Sequence, residues 1–147
     1  MKKNIPNMLT NTAVMMALVG IGLVSAGCTH KPPAQRPAVT LPVYTQGDAT
    51  AGQKQYEDNC QKCHRLQAGS NEKGPQLLRV YGAKAGSLSD YEYTQALKNS
   101  NLTWTAQNID HYIANPKKMV AGTRMRSEPI NDPKVRQDII AYLSTLR

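Results

Sequence analysis

The sequence contains no phenylalanine, one tryptophan and seven tyrosines. A core without phenylalanine must take its large apolar volume from elsewhere, and a bound cofactor is one source. Cysteine is scarce and odd in number, at three, which excludes a fully paired disulfide scaffold. No apolar run reaches the roughly 18–20 residues needed to span a membrane. Dense Lys/Arg runs are absent too, so the net charge of +8 does not mark a nucleic-acid binder. Hydrophobic residues at 40% and charged residues at 19% place the chain among folded globular proteins, and 147 residues suffice for one domain.

The longest apolar stretch, Ala13 to Val24, follows Lys2 and Lys3 and precedes Ser25-Ala26-Gly27. That order of charge, short apolar run and small residues is the layout of a secretory signal. Residues 1–27 are therefore expected to be a signal peptide. Cys28 follows directly, in a context that resembles a bacterial lipobox, with Ser25 where Leu or Val is usual. Lipid attachment at Cys28 is the expectation, against ordinary cleavage nearby. Both readings export the mature chain, to a bacterial periplasm, and the first anchors it to a membrane. Residues 28–46 hold four prolines between Pro32 and Pro42 and read as a stiff, extended tether.

A domain is expected over residues 47–147. Asp48 is a good N-cap for a helix running to about Asn59. Ser89-Asp90-Tyr91-Glu92 has the form of a capping box. Ala106, Ile109, Tyr112 and Ile113 share one face of a helix over 105–115, which Pro116 stops, and residues 117–131 read as a loop. Asp132 and Pro133 open a last helix, whose stripe is Val135, Ile139, Ala141, Tyr142, Leu143 and Leu146. No sustained strand alternation appears. The expected class is all-α with long loops, and long loops in so small a domain need something to wrap around.

Cys60-Gln61-Lys62-Cys63-His64 supplies it. C-x-x-C-H is the pattern for covalent c-type haem attachment. Two thiols about one helical turn apart can add to the two vinyl groups of one haem, and the adjacent His64 can reach the iron. A zinc site would need two further ligands, and His30, His111 and Cys28 form no second close pair. A redox dithiol needs a strand–turn–helix setting that the sequence does not show. The iron's sixth ligand remains to be found. Met119 and Met125 are the methionines of the mature chain, and a soft thioether favours ferrous iron. An iron left open would instead serve gas or peroxide chemistry.

From Gly47 to Arg147 the chain resembles class I c-type cytochromes, the mitochondrial type and its bacterial relatives. Gly52 and Tyr56, Gly74-Pro75, the Asn115–Lys118 and Gly122–Met125 segments and the aromatic last helix carry the resemblance. It implies the cytochrome c fold, with N- and C-terminal helices packed together and loops around one covalent haem. It implies that the Pro75 carbonyl orients His64, that Tyr93 and Trp104 meet a haem propionate, that Tyr112 lies near the axial sulfur, and that Met125 is the sixth ligand. The family's propionate-pairing arginine is replaced by Ala83, a polar residue near the methionine by Leu97, and an aromatic beyond it by Ser127.

The implied function is electron carriage between redox proteins by a monomer that is not an enzyme. The alternative is a haem c subunit of one dehydrogenase complex. Lys62, Lys73, Lys117, Lys118, Arg124 and Arg126 flank the haem motif and the methionine loop. A basic rim of this kind would steer partners with acidic docking patches.

Overall fold

The structure, a computed structural model, describes residues 31–147. The signal peptide expected at 1–27 and the lipid site expected at Cys28 lie outside the described residues. Among the described residues five helices form: α1 (Ala49–Asn59), α2 (Gln95–Lys98), α3 (Ala106–Ala114), α4 (Pro116–Met119) and α5 (Pro133–Thr145). Among the described residues the extended chain pairs only at two isolated bridges, His64 with Asn71 and Lys84 with Thr103. None of these helices is long and apolar enough to cross a membrane.

The caps explain where the helices begin. The Asp48 carboxylate accepts from the N–H groups of Thr50 and Ala51. Thr105 caps α3 through Asn108 N–H, and Asp132 caps α5 through Lys134 N–H, with Pro133 in its first turn. Each side chain satisfies a donor that the first helical turn leaves without a partner. Two expectations change. The Ser89–Glu92 segment forms a turn and bend, and the helix starts later, capped by Thr94. Asn115 ends α3 and also caps the short α4, with Pro116 at its start, where a missing N–H costs nothing. The segment expected as loop therefore opens with a helical turn.

Helices α1 and α5 meet at a seam built for close approach. A Cβ on Gly52 would lie 1.9 Å from the Asp138 carbonyl oxygen, so the α1 backbone rests directly on α5. Tyr56 and Tyr142 flank the seam, with ring centroids 5.7 Å apart. The buried Asp138 carboxylate accepts the Asp48 N–H at 2.7 Å and a bond from Lys134 at 2.6 Å. Ile139, Ile140 and Leu143 lead from the seam into the main core with Val80, Tyr81, Trp104, Ile109, Tyr112, Ile113 and Val120.

The proline-rich segment departs from the free tether expected of it. Residues 31–46 form neither helix nor strand, but they lie along the domain, and the compact unit runs from Lys31 to Arg147. Val39, Leu41 and Tyr44 pack against the core. The Tyr44 N–H donates to Ser144 Oγ at 3.0 Å, and Arg147 donates to the carbonyls of Val39 and Leu41 at 2.9 and 2.7 Å. Stiffness keeps the entropic cost of docking such a segment low, and its apolar side chains gain by burial.

Candidate haem site

The end of α1 delivers the thiols. The Cys60 carbonyl accepts from both Cys63 N–H and His64 N–H, at 3.0 and 2.9 Å. This turn sets Cys60, Cys63 and His64 on the wall of one cavity of about 680 Å³. Burial, and then the neighbouring Cys63, push the Cys60 thiol up to about 11. It therefore stays neutral, which disfavours thiolate chemistry at this position.

His64 is held from three sides. Its Nδ1 lies 2.7 Å from the Pro75 carbonyl. A carbonyl can only accept, so Nδ1 carries the proton and Nε2 keeps its lone pair. Burial lowers the pKa of the ring, opposed by the bond to Pro75 and reinforced by Arg36, so the neutral imidazole that a metal requires is favoured. Gly74 leaves room for the ring: a Cβ there would come within 2.2 Å of His64 Cε1. The Gly74 N–H bonds to the Cys63 carbonyl at 2.9 Å. Finally, the Tyr56 hydroxyl donates to the His64 carbonyl. Burial pushes the Tyr56 phenol up to about 12, so it remains a donor. The sequence pointed to Tyr56 only as helix packing, and the structure adds this bond.

The opposite segments of the cavity come from α3 and the loop after α4. Trp104 and Tyr112 pack at 4.9 Å between ring centroids. The Tyr112 hydroxyl meets Thr123 Oγ1 at 2.5 Å, and the same oxygen accepts the Met125 N–H at 3.3 Å. Thr123 thus ties the methionine loop to α3. Met125 lines the cavity with His64; Met119 packs on the core and does not. Tyr93, Trp104, Tyr112, Gly74 and Pro75 all line it, as do Leu97 and Ser127. Leu97 continues an apolar wall formed with Ile109, Ile113, Ile139 and Leu143.

The six basic residues divide. Lys62, Lys73, Arg124 and Arg126 border the cavity, while Lys117 and Lys118 do not. The latter two are exposed on α4. Arg124 is not a free rim charge, because its guanidinium donates to the Glu92 carbonyl and so ties the methionine loop to the segment before Tyr93. Several cavity residues escaped the sequence, among them Leu77, Val80, Thr94 and one cation. Arg36, from the proline-rich segment, is 4% exposed and lies on the cavity wall.

Two thiols, a neutral imidazole and a thioether on one largely apolar cavity are the donor set of a haem c protein. Among the described residues no three His, Cys, Asp or Glu side chains cluster to hold a metal by themselves, which counts against the zinc alternative. The fold and site thus define an all-α haem protein of the c type.

A family model described as cytochrome c matches residues 49–147. Cytochrome c of Euglena viridis is 42% identical over 101 residues, covering 69% of this chain and 99% of that protein. Cytochrome c of Arabidopsis thaliana is 39% identical over 99 residues, 67% of this chain and 88% of that protein. Among solved structures, cytochrome cH from Methylobacterium extorquens is similar with a TM-score of 0.63 and 46% identity, over 67% of this chain and 99% of that one. The chain belongs to the cytochrome c family. It is an electron carrier with one haem c, covalently bound through Cys60 and Cys63.

Proposed function

We propose that the protein is an exported, periplasmic monohaem carrier whose iron is held by His64 and Met125. The observation that carries this reading is the presence of both side chains on one cavity wall beside the two thiols. His64 offers a neutral Nε2 fixed by Pro75, and Met125 offers a sulfur on a loop anchored through Thr123 to Tyr112. The bound haem supplies a one-electron couple at its iron. The chain's residues supply the rest. They fix the ligands so that little moves on electron transfer, keep water from the iron with an apolar wall, and leave an edge for partners.

Partner docking rests on Lys62, Lys73 and Arg126 at the cavity border, with Lys117 and Lys118 on α4 as an outer ring. All five are exposed. Exposed charges of this kind act on association rate and are screened by salt. The partners are redox proteins with acidic docking patches, and the carrier is a monomer. The signal peptide at 1–27 and lipid attachment at Cys28 complete the proposal.

The visible absorption spectrum of the exported protein, oxidised and reduced, tests the ligation. Low-spin bands with the weak red band of methionine bound to ferric iron are expected. A high-spin spectrum would leave the haem in place and remove Met125 as ligand. Mass spectrometry of the mature N-terminus tests the export proposal: a diacylglyceryl mass on Cys28 supports the anchor, and an unmodified terminus overturns it.

A further inference from the structure

A guanidinium remains charged at any pH a protein meets. Removing one from water is costly, and its surroundings must offset that cost. Arg36 is buried at 4% exposure, and what the protein offers it is incomplete. Nη1 donates to the carbonyls of Gln76 and Leu78 at 2.8 and 2.9 Å and to the Gln76 side-chain oxygen at 3.3 Å. All three acceptors are neutral. Arg36 takes part in none of the ion pairs among the described residues, and its Nε is buried without a partner. Asp90 contributes at a distance, while its carboxylate accepts the Ala34 N–H at 3.1 Å.

The position of the segment is as telling as its charge. Leu41 packs on the turn at Gly82, where a Cβ would meet Leu41 Cδ1 at 3.2 Å. The next residue is Ala83, where the resemblance leads one to expect the propionate-pairing arginine. The N-terminal segment thus crosses the turn that lacks the charge and carries a charge of its own into the same cavity, beside the Tyr93 phenol.

We propose that Arg36 is the counter-cation of a haem propionate, supplied by the N-terminal segment in place of the arginine missing at Ala83. The propionates are the anionic side groups of a haem, and one of them is the anion that the buried guanidinium lacks. The groups facing this position are the Tyr93 phenol, the Asp90 carboxylate and the His64 ring. The phenol and the carboxylate cannot add positive charge, and Lys73 and Arg124, which also border the cavity, are exposed, Arg124 being tied to the Glu92 carbonyl; Arg36 is the buried cation there. It acts as a positioning residue: it holds the propionate ionised and pins the segment across the crevice. The proposal rests on covalent haem attachment, and the potential can be measured only where that attachment has occurred, so the two can fail separately.

The midpoint potential of the mature holoprotein, measured from mildly acidic to neutral pH, tests it. With Arg36 present, the propionate stays ionised and the potential is flat over this range. In Arg36→Gln the propionate takes up a proton within it. The potential then falls as pH rises, with a slope of at most about 59 mV per pH unit for one proton per electron. Arg36→Lys keeps the charge and a nearly flat profile. Arg147→Ala loosens the same segment at Val39 and Leu41 without touching the cation, and its profile stays native. An Arg36→Gln profile superimposable on the native one overturns the proposal, because a purely structural strap would move stability and not the pH profile. Should Arg36→Gln fail to mature, proton–proton contacts in the native reduced holoprotein decide the matter. Contacts from the Arg36 side chain to a propionate methylene support it, and their absence overturns it.

Discussion

Replacing Gly52 by alanine separates two opposing effects whose signs differ. In an exposed helix interior, Gly→Ala stabilises by roughly 0.8–1 kcal/mol, because glycine loses more backbone freedom on folding. At Gly52 the added methyl would lie 1.9 Å from the Asp138 carbonyl oxygen, 2.5 Å from its carbon and 2.9 Å from Tyr142 Cβ. Contacts under 3.0 Å are essentially never made by a real Cβ, so α1 and α5 must part by about an ångström. The obstacle is backbone, which cannot rotate away as a side chain can.

A radial gap of about 0.5–1 Å forfeits roughly a quarter to a half of each dispersion contact along the seam, and overpacking typically costs about 1–3 kcal/mol. The direction is therefore destabilisation, by up to about 2 kcal/mol net of the propensity gain. The same shift moves the Cys60–His64 turn, which continues α1, relative to Ile139 and Leu143 on the cavity wall. Guanidinium unfolding of the holoprotein, followed by far-ultraviolet circular dichroism, reads the stability. A midpoint equal to or above the native one would refute the close-contact account.

Three other perturbations probe the site and the seam. Met125→Ala should leave a folded haem protein with a lower midpoint potential, since a soft ligand to ferrous iron is gone, and the reduced form should bind carbon monoxide; a low-spin variant that excludes carbon monoxide would refute Met125 ligation. Gly74→Ala puts a methyl 2.2 Å from His64 Cε1 and should displace the imidazole, lowering the yield of haem-loaded protein and shifting the potential; a mature variant with the native potential would show that the ring is not confined there. At Asp138 burial raises the carboxyl pKa, but the bonds from Lys134 and the Asp48 N–H outweigh it and hold the group below its usual value. A depressed acid stabilises fully above its unfolded pKa of about 3.9 and loses that contribution as pH falls through the lower folded pKa. Asp138→Asn should thus cost about 1–3 kcal/mol at neutral pH and soften the acid limb of the pH–stability curve; an unchanged acid limb would exclude the linkage.

How far the sequence could be read depends on the distance over which each feature is determined. The starts of α1 and α5 were legible because a cap is a local event: Asp48 and Asp132 act on N–H groups two or three residues away, whereas α3 was legible from its apolar face. The haem motif was legible for the same reason, since Cys60, Cys63 and His64 lie within one turn. The Thr94 cap was missed because Ser89–Glu92 offered a local alternative. Tyr91, inside that stretch, is engaged elsewhere, its hydroxyl donating to the Lys73 carbonyl at 2.9 Å.

The proline-rich segment was misjudged because composition describes stiffness and not attachment. Its partners, Ser144 and Arg147, stand about a hundred residues along the chain. Val39, Leu41 and Tyr44 were the local sign that it had a side to bury, since a tether has no use for spaced apolar residues. Arg36 combined both difficulties, being a single cation whose meaning depends on a cavity otherwise formed by residues 58–143. Yet its need was legible at Ala83. A buried anion must find a cation, so where a family's charge is missing at one position, the search belongs among cations the rest of the chain can bring to the same place.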